Sequence, residues 1–385
     1  MKLGVLLDRL DGTPGGAEAH TLALVRRCVA AGDAAAIATL SGQAPEGVET
    51  IHVPAPRARP ERDEAFARDG ARALRDAGCD VVFAIRHALD CDVYLPHGGL
   101  VDLARERKDL AAGGAGLLTR LGRVFGRKHA FFQQAEAALL AGREGPLVIA
   151  VSEWIAGKIR AQYPACASRL KVVVNGVDVE RFDPAAHAEA GAALRASWGL
   201  EAPLVGLLSA HHPVLKGAET AIRALAEPVT RALPRPVALV VAGGSLPSSL
   251  RALARRLGVA GQVREVGLFD DPRPLYAAAD LLLHPTWYDP CSLVCLEALA
   301  MGLPVITTPE GGVREVMGQR GGIVVEEAGN PEAVAMALRV LADDEMRTFS
   351  SDDARYLAQR NREATRLDQV LDLCRLRAAA IPPQG

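Results

Sequence analysis

Two carboxylates eight positions apart, Asp289 and Glu297, flank Ser292 in the stretch from His284 to Glu315. The stretch reads as strand, loop, helix, turn, strand, loop. Ser292 is placed to cap the helix, and the first amides behind it, those of Leu293 and Val294, would have no intrahelical acceptor. Such a terminus attracts an anion, phosphate above all. Glu297 falls within the next two turns, so the two carboxylates can reach opposite ends of one bound molecule. A nucleotide sugar suits that spacing, with one carboxylate on ribose hydroxyls, amides on the diphosphate and the other carboxylate on the sugar. Two carboxylates eight apart also arise by chance on a solvated surface. The glycine-bearing turns Met301-Gly302-Leu303-Pro304 and Glu310-Gly311-Gly312 argue for the functional reading.

A compact cation stands at Lys216, in Leu208-Ser209-Ala210-His211-His212-Pro213-Val214-Leu215-Lys216-Gly217 at the end of a strand-like run, where an ordinary surface lysine is the alternative. The chain has 38 arginines and 6 lysines, so a lysine at this point suggests a need for a compact ammonium. His211 and His212 stand ready to assist it. Gly243 and Gly244 follow a later strand-like run, where an open α/β sheet meets its ligand, and Gly267 precedes Leu268-Phe269 in a further turn.

In the first half, Gly15 and Gly16 open a helix after the first strand, allowing close backbone approach at an anion-favouring terminus. Glu18 either lines that loop or only complements the helix dipole. His97, followed by Gly98 and Gly99, sits at a strand's carboxyl end, a ligand-facing edge rather than a usual place for a structural histidine. Asp90-Cys91-Asp92 has the form of a metal-binding Asp-x-Asp, a pattern that chance produces easily.

The elements that must position these groups follow one plan, used twice. Apolar runs at Lys2–Leu7, Ala35–Leu40, Asp80–Ala84 and Leu147–Val151 alternate with helical patterns near 16–31, 61–77 and 131–141. The rhythm breaks in the turn-rich stretch 175–184 and resumes at Leu204–Ser209, Val237–Ala242, Leu281–His284 and Val305–Thr307. Alternation of this kind predicts α/β architecture with doubly wound parallel sheets. The expected division is 1–180, 181–360 and a C-terminal helix over 361–385 that packs back toward the first domain. A chain of 385 residues has room for two full cores.

Composition narrows the function. With 49% hydrophobic and 23% charged residues the chain reads as soluble and globular, with no apolar run long enough to span a bilayer. A net charge of −2 gives no general attraction to nucleic acid. The seven cysteines are odd in number, scattered and without zinc-ligand spacing, as expected of reduced thiols in a cytoplasm. The opening apolar run stops at Asp8-Arg9 without a cleavage site and reads as a buried strand.

Asp289-x7-Glu297-Ala-Leu-Ala-x-Gly-Leu-Pro-Val-Ile resembles the donor-site signature of glycosyltransferase family 4, retaining enzymes of the GT-B fold. The Lys216 segment, the Gly15-Gly16-Ala17-Glu18 loop, and Val151-Ser152-Glu153-Trp154 followed by Val172–Asp178 are similar to further family elements. The resemblance spans about 1 to 360 and is tightest from 145 onward. Asp289-Pro-Cys-Ser-Leu-Val294 is similar to the lipopolysaccharide core glucosyltransferase branch. The family usually carries Glu at position 289 and an Arg shortly before Lys216. Here Asp289 and the trio His211, His212 and Val214 stand instead.

The resemblance implies two Rossmann-like domains facing a cleft, with the donor on the second. It implies transfer of a hexose, glucose or a close analogue, from a UDP-sugar to a glycan or glycolipid such as lipopolysaccharide core, with no metal or cofactor. Carried onto this chain, the catalytic set is His97, Lys216, Asp289 and Glu297. Donor contacts come from Gly15, Gly16, His211, His212, Lys216, Gly243, Asp289, Ser292, Leu293, Val294 and Glu297. Asn175 and Gly176 belong to a turn first and to a ligand contact second.

Residues 113–129 carry Arg120, Arg123, Arg127 and Lys128 beside apolar residues at helical spacing. That is either a peripheral contact with the anionic inner face of the cytoplasmic membrane or a core helix with a solvated basic side. Two rival functions stand beside transfer. A nicotinamide oxidoreductase is disfavoured because no Gly-x-Gly-x-x-Gly follows a strand. A non-catalytic protein of the same fold that binds nucleotide sugars or carbohydrate would accommodate Asp289 and the missing Arg.

Overall fold

The computed structural model describes residues 1–11, 15–56, 61–113, 127–200 and 203–381. These residues form two compact units, one of 1–104, 127–174 and 364–381, the other of 105–113 and 175–363. Apart from its ends, the basic amphipathic segment 113–129 lies outside the described residues.

The first unit is built on a parallel sheet of seven strands: β1 (Lys2–Leu6), β2 (Ala34–Thr39), β3 (Glu49–His52), β4 (Val81–Ala84), β5 (Val93–Tyr94), β6 (Leu147–Ala150) and β7 (Leu170–Val172). Their order is β3-β2-β1-β4-β5-β6-β7. Leu3 and Val5 of β1 and Val81 and Val82 of β4 are wholly buried, because helices cover both faces of such a sheet. This is why these strands read as apolar runs without alternation. Helices Gly16–Ala30 and Glu61–Asp76 belong to this covering layer. The last helix, Glu363–Ala380, lies in this unit from Ala364 on. Arg27 grips Asp368 through two 2.7 Å bonds, and Arg375 reaches Asp33 at 2.8 Å.

The second unit repeats the plan with six parallel strands: β8 (Leu204–Ala210), β9 (Val237–Gly243), β10 (Val263–Gly267), β11 (Leu281–His284), β12 (Val305–Thr307) and β13 (Gly322–Val324). The order is β10-β9-β8-β11-β12-β13. Leu204, Leu239, Leu281 and Ile306 form a core with Ile222 and Leu225 of helix Ala218–Ala226 and Val334 and Leu338 of helix Pro331–Ala342.

The units change over between Val174 and Asn175, not at 180/181. The reason lies in hydrogen bonding: Asn175, 2% exposed, donates through its amide to the Cys291 carbonyl at 2.9 Å. The amide of Asn361 donates in turn to the Asn175 carbonyl, and the Val177 N–H bonds Asn361 O at 3.0 Å. The turn-rich stretch is therefore stitched into the second unit.

In both sheets the strand order reverses once. The chain runs outward from β1 to β3 and returns at β4; it runs outward from β8 to β10 and returns at β11. Neighbouring crossovers at such a point leave on opposite faces, which opens a crevice at the carboxyl ends of the two central strands.

Candidate active site

The crevice of the second unit lies between the ends of β8 and β11, and the chemistry-bearing loops follow those two strands. Gly217 brings the loops together. Its φ of +83° is a left-handed conformation, and a side-chain carbon there would lie 2.1 Å from the Pro285 carbonyl oxygen. Trp287 N–H donates to Leu215 O at 2.9 Å, and Thr286 Oγ1 to the same oxygen at 3.3 Å.

Across this contact Lys216 Nζ reaches Asp289 Oδ2 at 2.6 Å and the Tyr288 carbonyl at 3.0 Å. His284, the last residue of β11, places Nε2 3.0 Å from the same Oδ2. A carboxylate only accepts, so the proton of a neutral His284 sits on Nε2. Burial alone would raise the Asp289 carboxyl, but the Lys216 ammonium and the His284 ring outweigh it and hold the group below the usual carboxylate range. For His284 burial is the larger effect and keeps the ring neutral, despite Asp289. The Asp289 backbone is pinned as well: its N–H donates to Glu310 O at 3.0 Å and its carbonyl accepts from Gly312 at 2.9 Å.

Three residues on, Ser292 Oγ accepts from Cys295 N at 3.4 Å and caps helix Leu293–Ala300. The amides of Leu293 and Val294 stand at its open end, with both residues partly exposed. Glu297, in the second turn, accepts a 2.6 Å bond from the Tyr276 hydroxyl. Burial raises its carboxyl to about 7, while Tyr276 and Arg181 pull the other way. His211 and His212 are exposed in the loop after β8, and Gly243 ends β9 in register with Ala210.

The first unit carries the remaining candidates. Gly15 caps helix Gly16–Ala30 without a side-chain bond. Glu18, in the first turn, pairs with Arg86 beyond the end of β4, so the ion pair ties together the two strand ends of this crevice. His97 follows β5 and faces His20 at a ring separation of 6.0 Å. His20 is buried, its Nδ1 meets no acceptor or donor among the described residues, and burial drops its pKa to about 3. Asp92 of the Asp-x-Asp is structural: Oδ2 accepts from Val82 N at 2.8 Å and Oδ1 from Arg75 at 3.0 Å.

The structure thus joins Lys216 to Asp289 and sets Ser292, Leu293, Val294 and Glu297 on one helix beside them. Gly15, Gly16 and His97 stand in the other unit. The family model described as Glycosyltransferase Family 4 matches residues 14–181, and that described as Glycosyl transferases group 1 matches 202–344. The chain belongs to glycosyltransferase family 4.

A D-inositol 3-phosphate glycosyltransferase of Corynebacterium urealyticum is 30% identical over 227 residues, 55% of this chain and 52% of the relative. The chain spans about half the length of the curated relatives it matches. The crystal structure of WaaG, a glycosyltransferase involved in lipopolysaccharide biosynthesis, superposes with a TM-score of 0.79 at 22% identity, covering 97% of this chain and 99% of that one. Anabaena Alr3699/HepE in complex with UDP-glucose gives 0.72 at 22% identity, over 97% and 99%. These likenesses give the GT-B fold.

Two departures from the family 4 signature have visible surroundings. The shorter Asp289 is fixed by the Lys216 and His284 bonds and by its backbone bridge to Gly311. No arginine stands in Leu208–Leu215 just before Lys216, and the exposed His211 and His212 occupy that segment. Two residues escaped the sequence reading. His284 reads there as the end of an apolar strand, though a histidine closing a buried run was a signal. Tyr276 lies in the short helix Arg273–Ala277, and nothing nearby in sequence marks its hydroxyl.

Proposed function

We propose that this chain transfers a hexosyl group from a UDP-sugar, UDP-glucose or a close analogue, to a hydroxyl of a glycan or glycolipid, retaining the anomeric configuration. One observation carries the reading: Lys216 and Asp289 converge at 2.6 Å on the reversal point of the second sheet, beside a capped helix with open amides. Lys216 and the amides of Leu293 and Val294 bind the diphosphate, Glu297 the ribose, and Asp289 the sugar hydroxyls. His97 serves the transferred sugar and the acceptor.

In the reaction the bond from the anomeric carbon to the β-phosphate oxygen breaks and its electron pair stays on that oxygen. The acceptor oxygen bonds the anomeric carbon and its proton passes to the departing phosphate. Positive charge and aligned amides at the phosphate act where charge develops, the effect that contributes most to such steps. No metal or cofactor takes part. The proposed setting is the cytoplasm, with 113–129 against the anionic inner membrane. No described helix is long and apolar enough to cross a bilayer. HepE's complex with UDP-glucose supports the donor, and WaaG's role in lipopolysaccharide biosynthesis supports a cell-envelope acceptor.

The test is a thermal-shift and calorimetry panel of UDP, GDP, ADP and their sugars, followed by transfer assays on core oligosaccharide and on inositol phosphate. Saturable binding of UDP-glucose and product formation are expected. Absence of binding by every nucleotide sugar overturns the reading.

A further inference from the structure

We infer that Tyr276 is a positioning residue for the nucleotide: its hydroxyl, 2.6 Å from Glu297 Oε2, holds the Glu297 carboxylate aimed so that it can take the ribose hydroxyls. This inference rests on the nucleotide-sugar reading above.

The hydroxyl has little freedom. Tyr276 is 1% exposed, and Phe182 meets its ring edge-on at 6.1 Å and 71°. Its short helix is pressed onto helix Pro184–Ser197, where a side-chain carbon on Gly191 would come within 2.5 Å of Ala277. A tyrosine held this way offers one donor in one direction. A carboxylate that accepts it keeps its remaining lone pairs for another pair of donors, and a ribose diol supplies two.

The charges around Glu297 make the bond consequential. Burial disfavours its ionised form, Tyr276 and Arg181 favour it, and Glu363 opposes it. Arg181 is exposed and lies over the Phe182 ring at 5.4 Å. Arg355, from helix Asp344–Gln359 packed on the same side, spends its guanidinium on the carbonyls of Phe182, Ala300 and Val179. Tyr276 is thus the partner that touches the carboxylate, and Arg181 acts through space. Glu297 titrates at about 7 in the free protein, so binding a diol to its ionised form releases a proton and tightens as pH rises.

The experiment measures UDP-glucose affinity by calorimetry from pH 6 to 9 for the native chain, Tyr276→Phe, Glu297→Gln and the double variant. UDP-glucose is chosen because its diphosphate diester does not titrate in that range. Native affinity should rise through pH 7. Tyr276→Phe should move that midpoint up by about one pH unit and weaken binding at pH 7 roughly fivefold, converging on native at high pH. Glu297→Gln should remove the pH dependence, and adding Tyr276→Phe to it should change little. An unmoved midpoint in Tyr276→Phe, or an equal loss from that change in the Glu297→Gln background, overturns the inference while the donor reading stands. Failure of the native chain to bind UDP-glucose at any pH overturns the donor reading itself.

Discussion

Lys216 and Asp289, 73 residues apart, meet at 2.6 Å because each follows one of the two strands at which the second sheet reverses its order. In the free protein the carboxylate occupies the ammonium that the donor's diphosphate is proposed to use. The lysine keeps the buried carboxylate charged until a more highly charged partner arrives.

Replacing Lys216 should therefore act twice. Turnover in Lys216→Met should fall by about a hundredfold to a thousandfold through lost phosphate stabilisation. Stability should fall by about 1–3 kcal/mol, because the Asp289 carboxylate is left buried without its cation. The double variant Lys216→Met/Asp289→Asn separates the effects. Its denaturant midpoint should recover most of the loss while its turnover does not. Native-like turnover in Lys216→Met would remove the lysine from the site.

Asp289 also sets an acid limit. Its folded carboxyl lies below the usual range, so the folded state takes up its proton less readily than the unfolded chain. The stability it contributes is present above about pH 4, the unfolded value, and is lost as pH falls through the folded one. Urea melts between pH 2 and 5 should show a shallower acid slope for Asp289→Asn than for the native chain. Equal slopes would mean that other carboxylates carry the acid transition.

Gly217 tests the contact between the two loops. Alanine there would carry a left-handed backbone and a carbon 2.1 Å from the Pro285 oxygen, so one loop must move. Gly217→Ala should cost about 2–4 kcal/mol in chemical melts and lower turnover by displacing Lys216. A variant of native stability and activity would show that the close approach is not needed.

How far this was legible in the sequence depended on where each residue's partners lie. Leu281–His284 and Val305–Thr307 are strands over the expected residues, since a strand covered on both faces must be apolar throughout. At the sheet edges the pattern fades. β10 is Val-Arg-Glu-Val-Gly, where Arg251 pairs with Glu265 at 2.6 Å, and β3 is half polar. Neither reads as a strand. Within the site, Asp289, Ser292 and Glu297 share one loop and helix, so spacing relates them. The Lys216–Asp289 and Tyr276–Glu297 bonds are set by sheet order and helix docking, which no local pattern encodes.

Glu297 offers the sharpest separation of function from stability. Its folded carboxyl sits at about 7, above the value near 4.3 of an unfolded glutamate. The folded state therefore holds the proton more tightly. The sign is opposite to that of Asp289: the contribution is fully present below the unfolded pKa and is lost as pH rises through about 7, where the buried carboxylate must ionise. Glu297→Gln removes that cost. At pH 8 the variant should be more stable than the native chain by about 2–4 kcal/mol, and at about pH 4 and below the two should nearly coincide. Its UDP-glucose affinity should nevertheless fall about tenfold or more, since an amide cannot accept two hydroxyls as a carboxylate does. Parallel denaturant melts and calorimetry decide the matter, and a Glu297→Gln variant that loses stability at pH 8 while binding normally would make the residue structural.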